Sequence, residues 1–285
     1  MNKSTDNDLQ DEFWNSKVGS LWLTNFEENE RQTSPFGDVA LDIASPTLGE
    51  SVLDVGCGCG VTTLALGAAV GQSGRVLGID LSVAMLARAE ELKTSSELMN
   101  VDFRRADGQI SQLGQRRYDL VFSRFGVMFF ADATAAFANL RSTLRIGGRL
   151  VFVCWQVPSA NPWMSLVNRA ALKFFELEPP AHDAPGPFSL ANPTRIRAVL
   201  TDAGFSDVEI TSEIRILKVA AGQSVDHWVH ERLLMGLAGQ HYEGSPPIVQ
   251  ARARRTIAES VELFRVADSL ELEGAAWIVK ARQIS

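Results

Sequence analysis

Residues 52–60, "VLDVGCGCG", combine a short apolar run, one carboxylate and three glycines. The apolar run is typical of a buried strand, and glycines after a strand let the backbone approach a ligand closely. A dinucleotide-binding loop spaces its glycines as G-x-G-x-x-G, whereas Gly56, Gly58 and Gly60 alternate, so the third comes one residue early. A carboxylate at Asp54 would also repel a pyrophosphate. The stretch therefore predicts a strand followed by a ligand-binding loop, and the ligand has to be inferred from other residues.

On both sides of this loop, short apolar runs alternate with helical periodicity, which predicts βαβ units and a mostly parallel sheet. The predicted strands are residues 51–55, 75–79, 101–105, 118–122, 150–155, 206–219 and 275–281. The predicted helices are residues 61–70, 83–92, 134–144 (closed by Gly147 and Gly148), 163–175, 193–203, 223–240 and 247–267. Residues 1–12 read as a frayed tail, and residues 13–44 as helical text that Pro35 interrupts.

Three carboxylates follow three consecutive predicted strands, whose carboxyl ends meet at one edge of a parallel sheet. Asp80 is placed to accept hydrogen bonds from two ribose hydroxyls, which dinucleotides and S-adenosylmethionine (SAM) both carry. Asp107 is placed to accept from the adenine amino group. Asp54 distinguishes between the two cofactors, because a carboxylate attracts the ammonium of SAM and repels the pyrophosphate of a dinucleotide. The three carboxylates therefore favour SAM.

Four stretches together resemble a class I SAM-dependent methyltransferase, of the small-molecule group that includes the ubiquinone and menaquinone C-methyltransferases. They are "VLDVGCGCGVTTLAL", "VLGIDLSVAMLARAEE", "FRRADGQ" and "YDLVFSRFGVMFFADATAAFANLRSTLRIGGRLVFVCW", and they cover roughly residues 50–155. The resemblance implies an α/β fold with a Rossmann-like, seven-stranded, mostly parallel sheet. The last strand, residues 275–281, is then the antiparallel one.

The same resemblance implies a set of residues around SAM. The methionine end is held by Asp54 and by the backbone of Gly56, Cys57, Gly58 and Gly60. Asp80 binds the ribose, Leu81 and Met85 flank the adenine, and Asp107 with Gly108 binds the edge of the adenine. Ser123 and Arg124 line the methionine moiety on the side toward which the methyl group points.

In the minimal core of the family, the last two strands form a hairpin. In this chain, about fifty residues with helical periodicity lie between those two strands. We therefore expect a helical lid over the methyl-transfer site. The predicted segments are an N-terminal helical segment covering the cofactor site (1–49), a SAM-binding core (50–155), an insertion (156–191), a continuation of the core (192–219), the helical lid insertion (220–271) and a final core strand (272–285).

Methyl transfer is an in-line displacement at the sulfonium carbon, so the protein mainly aligns the acceptor and excludes water. Aromatic faces suit a sulfonium through cation–π attraction. The candidates for lining the substrate site are Trp14, Trp22, Phe125, Met128, Trp155 and Trp163.

A protonated acceptor requires a general base. The candidates for a catalytic role are His227, His230 and Arg124. The two histidines equally fit a solvated helix face, and Arg124 equally fits an ion pair with an acid or a contact to a substrate carboxylate.

The charged residues bear on partners and location. Lys and Arg number 27 against 34 Asp and Glu, a formal charge of −7, which disfavours a nucleic-acid partner. The segment "SRFG" after the fourth strand also differs from the N-P-P-Y type, so we expect a small-molecule substrate. No apolar run is long enough to span a bilayer. Cys57, Cys59 and Cys154 show no disulfide or metal spacing, so we expect a cytoplasmic protein without a metal.

Several alternatives stay open. The chain could be a non-catalytic SAM-binding or interaction protein, or, with less support, an NAD-dependent dehydrogenase. The substrate, the accepting atom (O, N, C or S) and the oligomeric state, with a homodimer as one option, are not set by the sequence.

Overall fold

The computed structural model describes residues 8–178, 180–181 and 183–284. Its helices are α1 (Asp8–Trp14), α2 (Lys17–Thr24), α3 (Phe26–Ala44), α4 (Val61–Val70), α5 (Val83–Ser96), α6 (Ala133–Thr143), α7 (Pro162–Ala171), α8 (Pro193–Asp202), α9 (Val225–Met235), α10 (Gly239–Glu243) and α11 (Pro247–Val261). Its strands are β1 (Ser51–Val55), β2 (Arg75–Asp80), β3 (Val101–Arg105), β4 (Tyr118–Arg124), β5 (Leu144–Trp155), β6 (Ser206–Val219), β7 (Arg265–Val266) and β8 (Ser269–Arg282).

Seven strands form one sheet in the order β3-β2-β1-β4-β5-β8-β6, and the two-residue β7 pairs with β8. Strands β1 to β5 pair in parallel, whereas β8 is antiparallel to both β5 and β6. The predicted mostly parallel sheet with an antiparallel last strand is confirmed. The chain order reverses at β1, which has β2 on one side and β4 on the other. Ligands of open α/β sheets bind at such a switch point, outside the carboxyl ends of the strands.

The central strands are apolar along nearly their whole length because helices cover the sheet. Residues 52–55 of β1 and 120–123 of β4 are all buried. Helix α4 packs on β1 and β2, α5 on β2 and β3, and α6 on β5. A continuous core results, and it holds the carboxyl ends of the strands in a fixed relation.

Helix α3 is longer and more regular than the sequence suggested. Pro35 was expected to interrupt the helical text, but α3 runs through it from Phe26 to Ala44. A proline inside a helix leaves the carbonyl four residues earlier without its partner. That carbonyl belongs to Arg31, which is exposed and can be solvated. The buried Phe36 and Ala40 pack this helix into the core, which offsets the local cost of the proline.

Gly147 and Gly148 do not close a helix as predicted. Helix α6 ends at Thr143, and both glycines already lie in β5. Gly147 has φ +82° and donates its N–H to the carbonyl of Gln283, while the N–H of Gln283 donates to the carbonyl of Gly148. The glycines therefore let the start of β5 bend toward the end of β8.

The N-terminal segment contains a helix where a frayed tail was predicted; residues 1–7 of that tail lie outside the described residues. Helix α1 begins at Asp8, and Asp11 accepts two hydrogen bonds from Arg105 at the end of β3. This ion pair is one of the tertiary contacts that tie the helix to the sheet, and local periodicity alone does not fix so short a helix.

The segment between β6 and β8 is helical, as expected, but its boundaries differ. The first predicted helix is divided into α9 and α10, α11 ends at Val261, and β8 begins already at Ser269. Trp228 of α9 and Tyr242 of α10 are fully buried. These helices thus have a packed interior. Over the part of the chain that the structure covers, no helix is long and apolar enough to cross a membrane.

Candidate functional site

The glycine loop after β1 is fixed to the end of β2. The N–H of Gly56 donates to the carbonyl of Ile79 at 2.8 Å, and the N–H of Gly58 donates to Oδ2 of Asp80 at 2.8 Å. All three loop glycines have φ between +54° and +81°, a region that other residues rarely adopt. The structure therefore brings the loop and Asp80 together, as the sequence implied.

Asp80 serves as an acceptor on both carboxylate oxygens. Besides the Gly58 N–H on Oδ2, Oδ1 accepts the N–H of Ser82 at 2.9 Å. Burial raises the pKa of this carboxyl, and the backbone N–H groups of Ser82 and Gly58 act in the opposite direction. Each oxygen of an ionised carboxylate has two acceptor sites, so Asp80 keeps capacity for hydroxyl donors.

Asp54 is a buried carboxylate with a single polar side-chain partner. It is 1% exposed, and its Oδ2 accepts a hydrogen bond from the hydroxyl of Thr63 at 2.7 Å. Burial raises its pKa to about 6, partly offset by Thr63 and by the charge of Arg124. Within the described residues no cation lies at ion-pair distance from it. Sequence reasoning missed Thr63, because nothing in the pattern marks which residue of α4 faces the strand end.

The residues expected around the adenine lie beside the loop. Met85 is buried, and its sulfur is 3.9 Å from the position that a Cβ on Gly58 would occupy. Gly108 packs so closely on the end of β1 that a Cβ there would be 3.0 Å from Val55. Asp107 accepts the backbone N–H two residues further on at 2.7 Å. The ends of β1, β2 and β3 thus converge at one edge of the sheet.

Ser123 and Arg124, at the end of β4, have protein partners. The Ser123 hydroxyl donates to the carbonyl of Val55 at 2.7 Å and accepts the N–H of Gly126. The Arg124 guanidinium forms a two-point ion pair with Glu30 of α3, at 2.5 and 2.9 Å. Of the two interpretations of Arg124, the structure shows the pairing with an acid. Glu30 was not identified from the sequence.

A row of rings leads away from the glycine loop. Phe125 stacks on Trp155, with centroids 4.0 Å apart, and Trp155 meets Trp163 at 5.2 Å. We call these three residues the aromatic file. Phe36 of α3, which sequence reasoning missed, packs edge-on against Phe125 and Trp155. Phe125 has φ +59°, and such backbone outliers cluster at functional sites. The sulfur of Met128 accepts the backbone N–H of Trp155 at 3.4 Å.

The N-terminal helices contact both sides of this edge. Trp14 packs edge-on against Phe129, with centroids 5.0 Å apart, and against Trp22 at 6.0 Å. The side chain of Asn15 donates to the carbonyl of Leu81 at 3.1 Å. The two predicted tryptophans are therefore in contact with each other, and Trp14 also contacts the turn after β4. Asn15, which was not predicted, binds the turn after β2.

The two histidines have their contacts inside the inserted helices. His230 shares a 2.6 Å hydrogen bond with the hydroxyl of Tyr242, and burial lowers its pKa. The His227 side chain is 59% exposed and lies 3.6 Å from the carboxylate of Glu231. The described ranges contain no group of three or more His, Cys, Asp or Glu side chains that could hold a metal ion.

The cysteines are free thiols in buried positions. Burial raises the pKa of Cys59 to about 12 and also raises that of Cys57. A thiol with a raised pKa carries little thiolate and is a poor nucleophile. Their small side chains fit the tight loop.

Residues 52–148 match a family described as a methyltransferase domain. The aklanonic acid methyltransferase of a Streptomyces species is 35% identical over 119 residues, which is 42% of this chain and 54% of that protein. The chain thus spans about half the length of this relative. The demethylmenaquinone methyltransferase of a Geobacillus species is 29% identical over 179 residues, 58% of this chain and 74% of that protein.

A solved structure with the same fold is phosphoethanolamine N-methyltransferase 2 of Haemonchus contortus in complex with SAM. Its TM-score is 0.54 at 18% identity, and the match covers 88% of this chain and 53% of the other. At this identity the similarity concerns the fold. Residues 52–148 of the chain therefore match a methyltransferase domain, and they lie within a Rossmann-like fold that the SAM-bound enzyme shares.

Proposed function

We propose that this protein transfers the methyl group of SAM to a small, partly apolar metabolite. The observation that carries the proposal is the convergence of Asp54, Asp80 and Asp107 around the glycine loop, with the aromatic file starting beside it. The carboxylates suit a cationic nucleoside, and the rings suit an apolar acceptor. Two relatives named for aklanonic acid and demethylmenaquinone also support a small-molecule substrate.

The residues present fit SAM. Asp54 is buried, and one of its carboxylate oxygens accepts a hydrogen bond from Thr63. No hydrogen bond from the described residues reaches the other oxygen, which leaves that oxygen available to the ammonium group of SAM. Asp80 is held by two backbone N–H groups in an orientation that leaves lone pairs for the ribose hydroxyls. Met85 lies beside Gly58, where an adenine would pack. We assign Asp107 and Gly108 to the adenine edge, and Ser123 and Arg124 to the end of β4 that faces the methionine moiety.

We propose that the acceptor lies along the aromatic file. Trp155 and Trp163 are 4% and 3% exposed, so these side chains are shielded from water. Helices α1 to α3 cover the cofactor end, and α7 with α9 to α11 form the lid at the other end. We propose that both covers exclude water during transfer.

Bound SAM supplies an electrophilic methyl group on a sulfonium. The chain has to orient the acceptor for in-line attack and keep the site dry. We propose that the face of Phe125 turned away from Trp155 stabilises positive charge next to it. Neither histidine is assigned as a general base, because His230 is engaged with Tyr242 and His227 with Glu231.

The Asp54 carboxyl makes SAM binding depend on pH. Its pKa of about 6 means that it is ionised at pH 7 and mostly protonated at pH 5. Only the ionised form attracts an ammonium, so the affinity for SAM falls as the pH falls through 6. We expect about tenfold weaker binding at pH 5 than at pH 7, measured by calorimetry. In Asp54→Asn the binding should be weaker at pH 7 and nearly independent of pH. A wild-type affinity that does not change over this range would contradict the assignment.

The proposed function is tested by incubating the purified protein with methyl-labelled SAM and a fractionated cell extract. We expect label in the solvent-extractable small molecules, with stoichiometric formation of S-adenosylhomocysteine. Tight SAM binding without turnover in any fraction would instead show a non-catalytic SAM-binding protein. Retention of NAD and not of SAM would show a dehydrogenase, and label in nucleic acid or protein would remove the small-molecule assignment.

A further inference from the structure

Arg232 of α9 has two guanidinium nitrogens without polar partners. Its Nε and Nη2 atoms are shielded from solvent, and neither has a hydrogen-bond partner among the described residues. Among the described residues it also forms no ion pair within 4.0 Å. Buried polar groups in proteins are nearly always paired, and an unpaired charge is the costliest exception. The arginine is therefore unexplained by the fold alone.

The two unpaired atoms define a binding geometry. Nε and Nη2 lie on the same edge of the guanidinium plane, and their N–H bonds point in parallel. This edge matches the two oxygens of a carboxylate, which it binds in a two-point contact. A single hydroxyl or carbonyl oxygen would satisfy only one of the two donors.

The surroundings of Arg232 are aromatic on one side and acidic on the other. Its guanidinium lies over the ring of Trp163, 6.0 Å from the centroid. Trp228, one helical turn earlier on the same face, is fully buried and its Nε1–H also lacks a partner. Glu231 and Glu28 act on Arg232 through their charge. The acids disfavour a doubly charged ligand, so a carboxylate fits better than a phosphate monoester.

Arg232 also lies at the end of the aromatic file. Trp163 touches Trp155, and Trp155 stacks on Phe125. The next residue, Gly126, contacts the loop glycine Gly56. A flat substrate that extends along these rings would have one end at the glycine loop and the other at Arg232.

We propose that Arg232 anchors a carboxylate of the acceptor substrate, so that the substrate is a partly apolar carboxylic acid methylated at an atom other than this carboxylate. This inference rests on the proposed function. The lid segment thereby determines substrate specificity through one residue, while the cofactor is bound by the residues of the core.

The proposal is tested by the binding of three probes to the full chain in the presence of S-adenosylhomocysteine. The probes are 1-naphthoate, 1-naphthamide and 1-naphthyl phosphate. We expect the wild type to bind naphthoate at least tenfold more tightly than the other two. Arg232→Met should lose this preference, and Arg232→Lys should lose most of it because a lysine lacks the two-point edge. Arg169→Met, which removes an exposed arginine of α7, is the control and should behave as the wild type.

A second measurement separates an anchor from a structural residue. Because Nε and Nη2 of Arg232 are buried and unpaired, Arg232→Met should keep or raise the Tm of the protein without ligand. A fall of more than about 5 °C would show a structural role. Equal binding of the three probes by the wild type, tighter binding of the phosphate, or a labelled product that is a carboxylate ester would each overturn the proposal. SAM affinity is measured in parallel: its absence in the wild type would refute the proposed function, whereas intact SAM binding with no probe preference refutes the anchor alone.

Discussion

Replacing Asp80 with alanine is expected to raise the dissociation constant for SAM about a hundredfold. The carboxylate is the proposed partner of both ribose hydroxyls, and two charge-assisted hydrogen bonds together contribute about 3 kcal/mol. The same change removes the acceptor of the Gly58 N–H, so the glycine loop loses one of its hydrogen bonds to β2, whereas the bond from Gly56 to Ile79 remains. We therefore also expect a smaller loss of about 1–2 kcal/mol in the free energy of unfolding. Calorimetry and urea denaturation measure the two effects.

The opposite end of the sheet provides a matched control. Asp119 also accepts a backbone N–H, from Ser51 at 2.8 Å, and it pairs with Arg145. Asp119→Ala removes the same charge and comparable hydrogen bonds, but at the amino end of β4. It should lower stability and leave SAM affinity unchanged. If it weakened SAM binding as much as Asp80→Ala, or if Asp80→Ala changed the dissociation constant less than threefold, the ribose assignment would be wrong.

Gly56→Ala is expected to lower the free energy of unfolding by about 3 kcal/mol or more. Gly56 has φ +66°, which costs an alanine about 1–2 kcal/mol. A Cβ at this position would also lie 2.7 Å from the Cα of Gly126, so the backbones of the two loops would have to separate. That separation would open the junction of β1 and β4, and we expect SAM binding to be lost with it. Thermal and chemical denaturation of the variant test the prediction.

Gly58→Ala separates the cost of the backbone conformation from the cost of the close approach to Gly126. Gly58 has a similar φ of +54°, but the nearest atom to its added Cβ would be the sulfur of Met85, at 3.9 Å. It should therefore lose only about 1 kcal/mol of stability, from the backbone conformation alone. Equal destabilisation by both substitutions would show that the close approach of Gly56 and Gly126 is unimportant.

The core was largely predictable from the sequence for a physical reason. A buried strand such as β1 appears as an apolar run with an abrupt end. The bounds of β1, β3 and β6 and of helix α4 were predicted to the residue. Carboxylates at strand ends are brought together by parallel pairing, which is why Asp54 and Asp80 could be placed in advance. The errors at Pro35 and Gly147 arose because tertiary packing overrode local preferences that were correctly recognised.

The substrate side was not predictable in the same way. The sequence named Phe125, Trp155 and Trp163 as candidates for lining the substrate site, but only the fold shows that the three rings form a row. The sequence pointed to the histidines of α9, whereas Trp228 and Arg232 are the described side chains of that helix with buried, unpaired polar atoms. Periodicity shows that residues share a helix face; it does not show what that face contacts.

The register of β6 and β8 allows the segment between these two strands to be exchanged as a unit. Val219 and Leu270 are paired neighbours, so the inserted helices leave and re-enter the sheet at adjacent positions. A segment with adjacent ends can be exchanged as a unit without altering the path of the strands. Residues 220–268, between β6 and β8, can therefore be replaced as a cassette. Under the proposed function, such an exchange would change the acceptor and leave the binding of the methyl donor as it is.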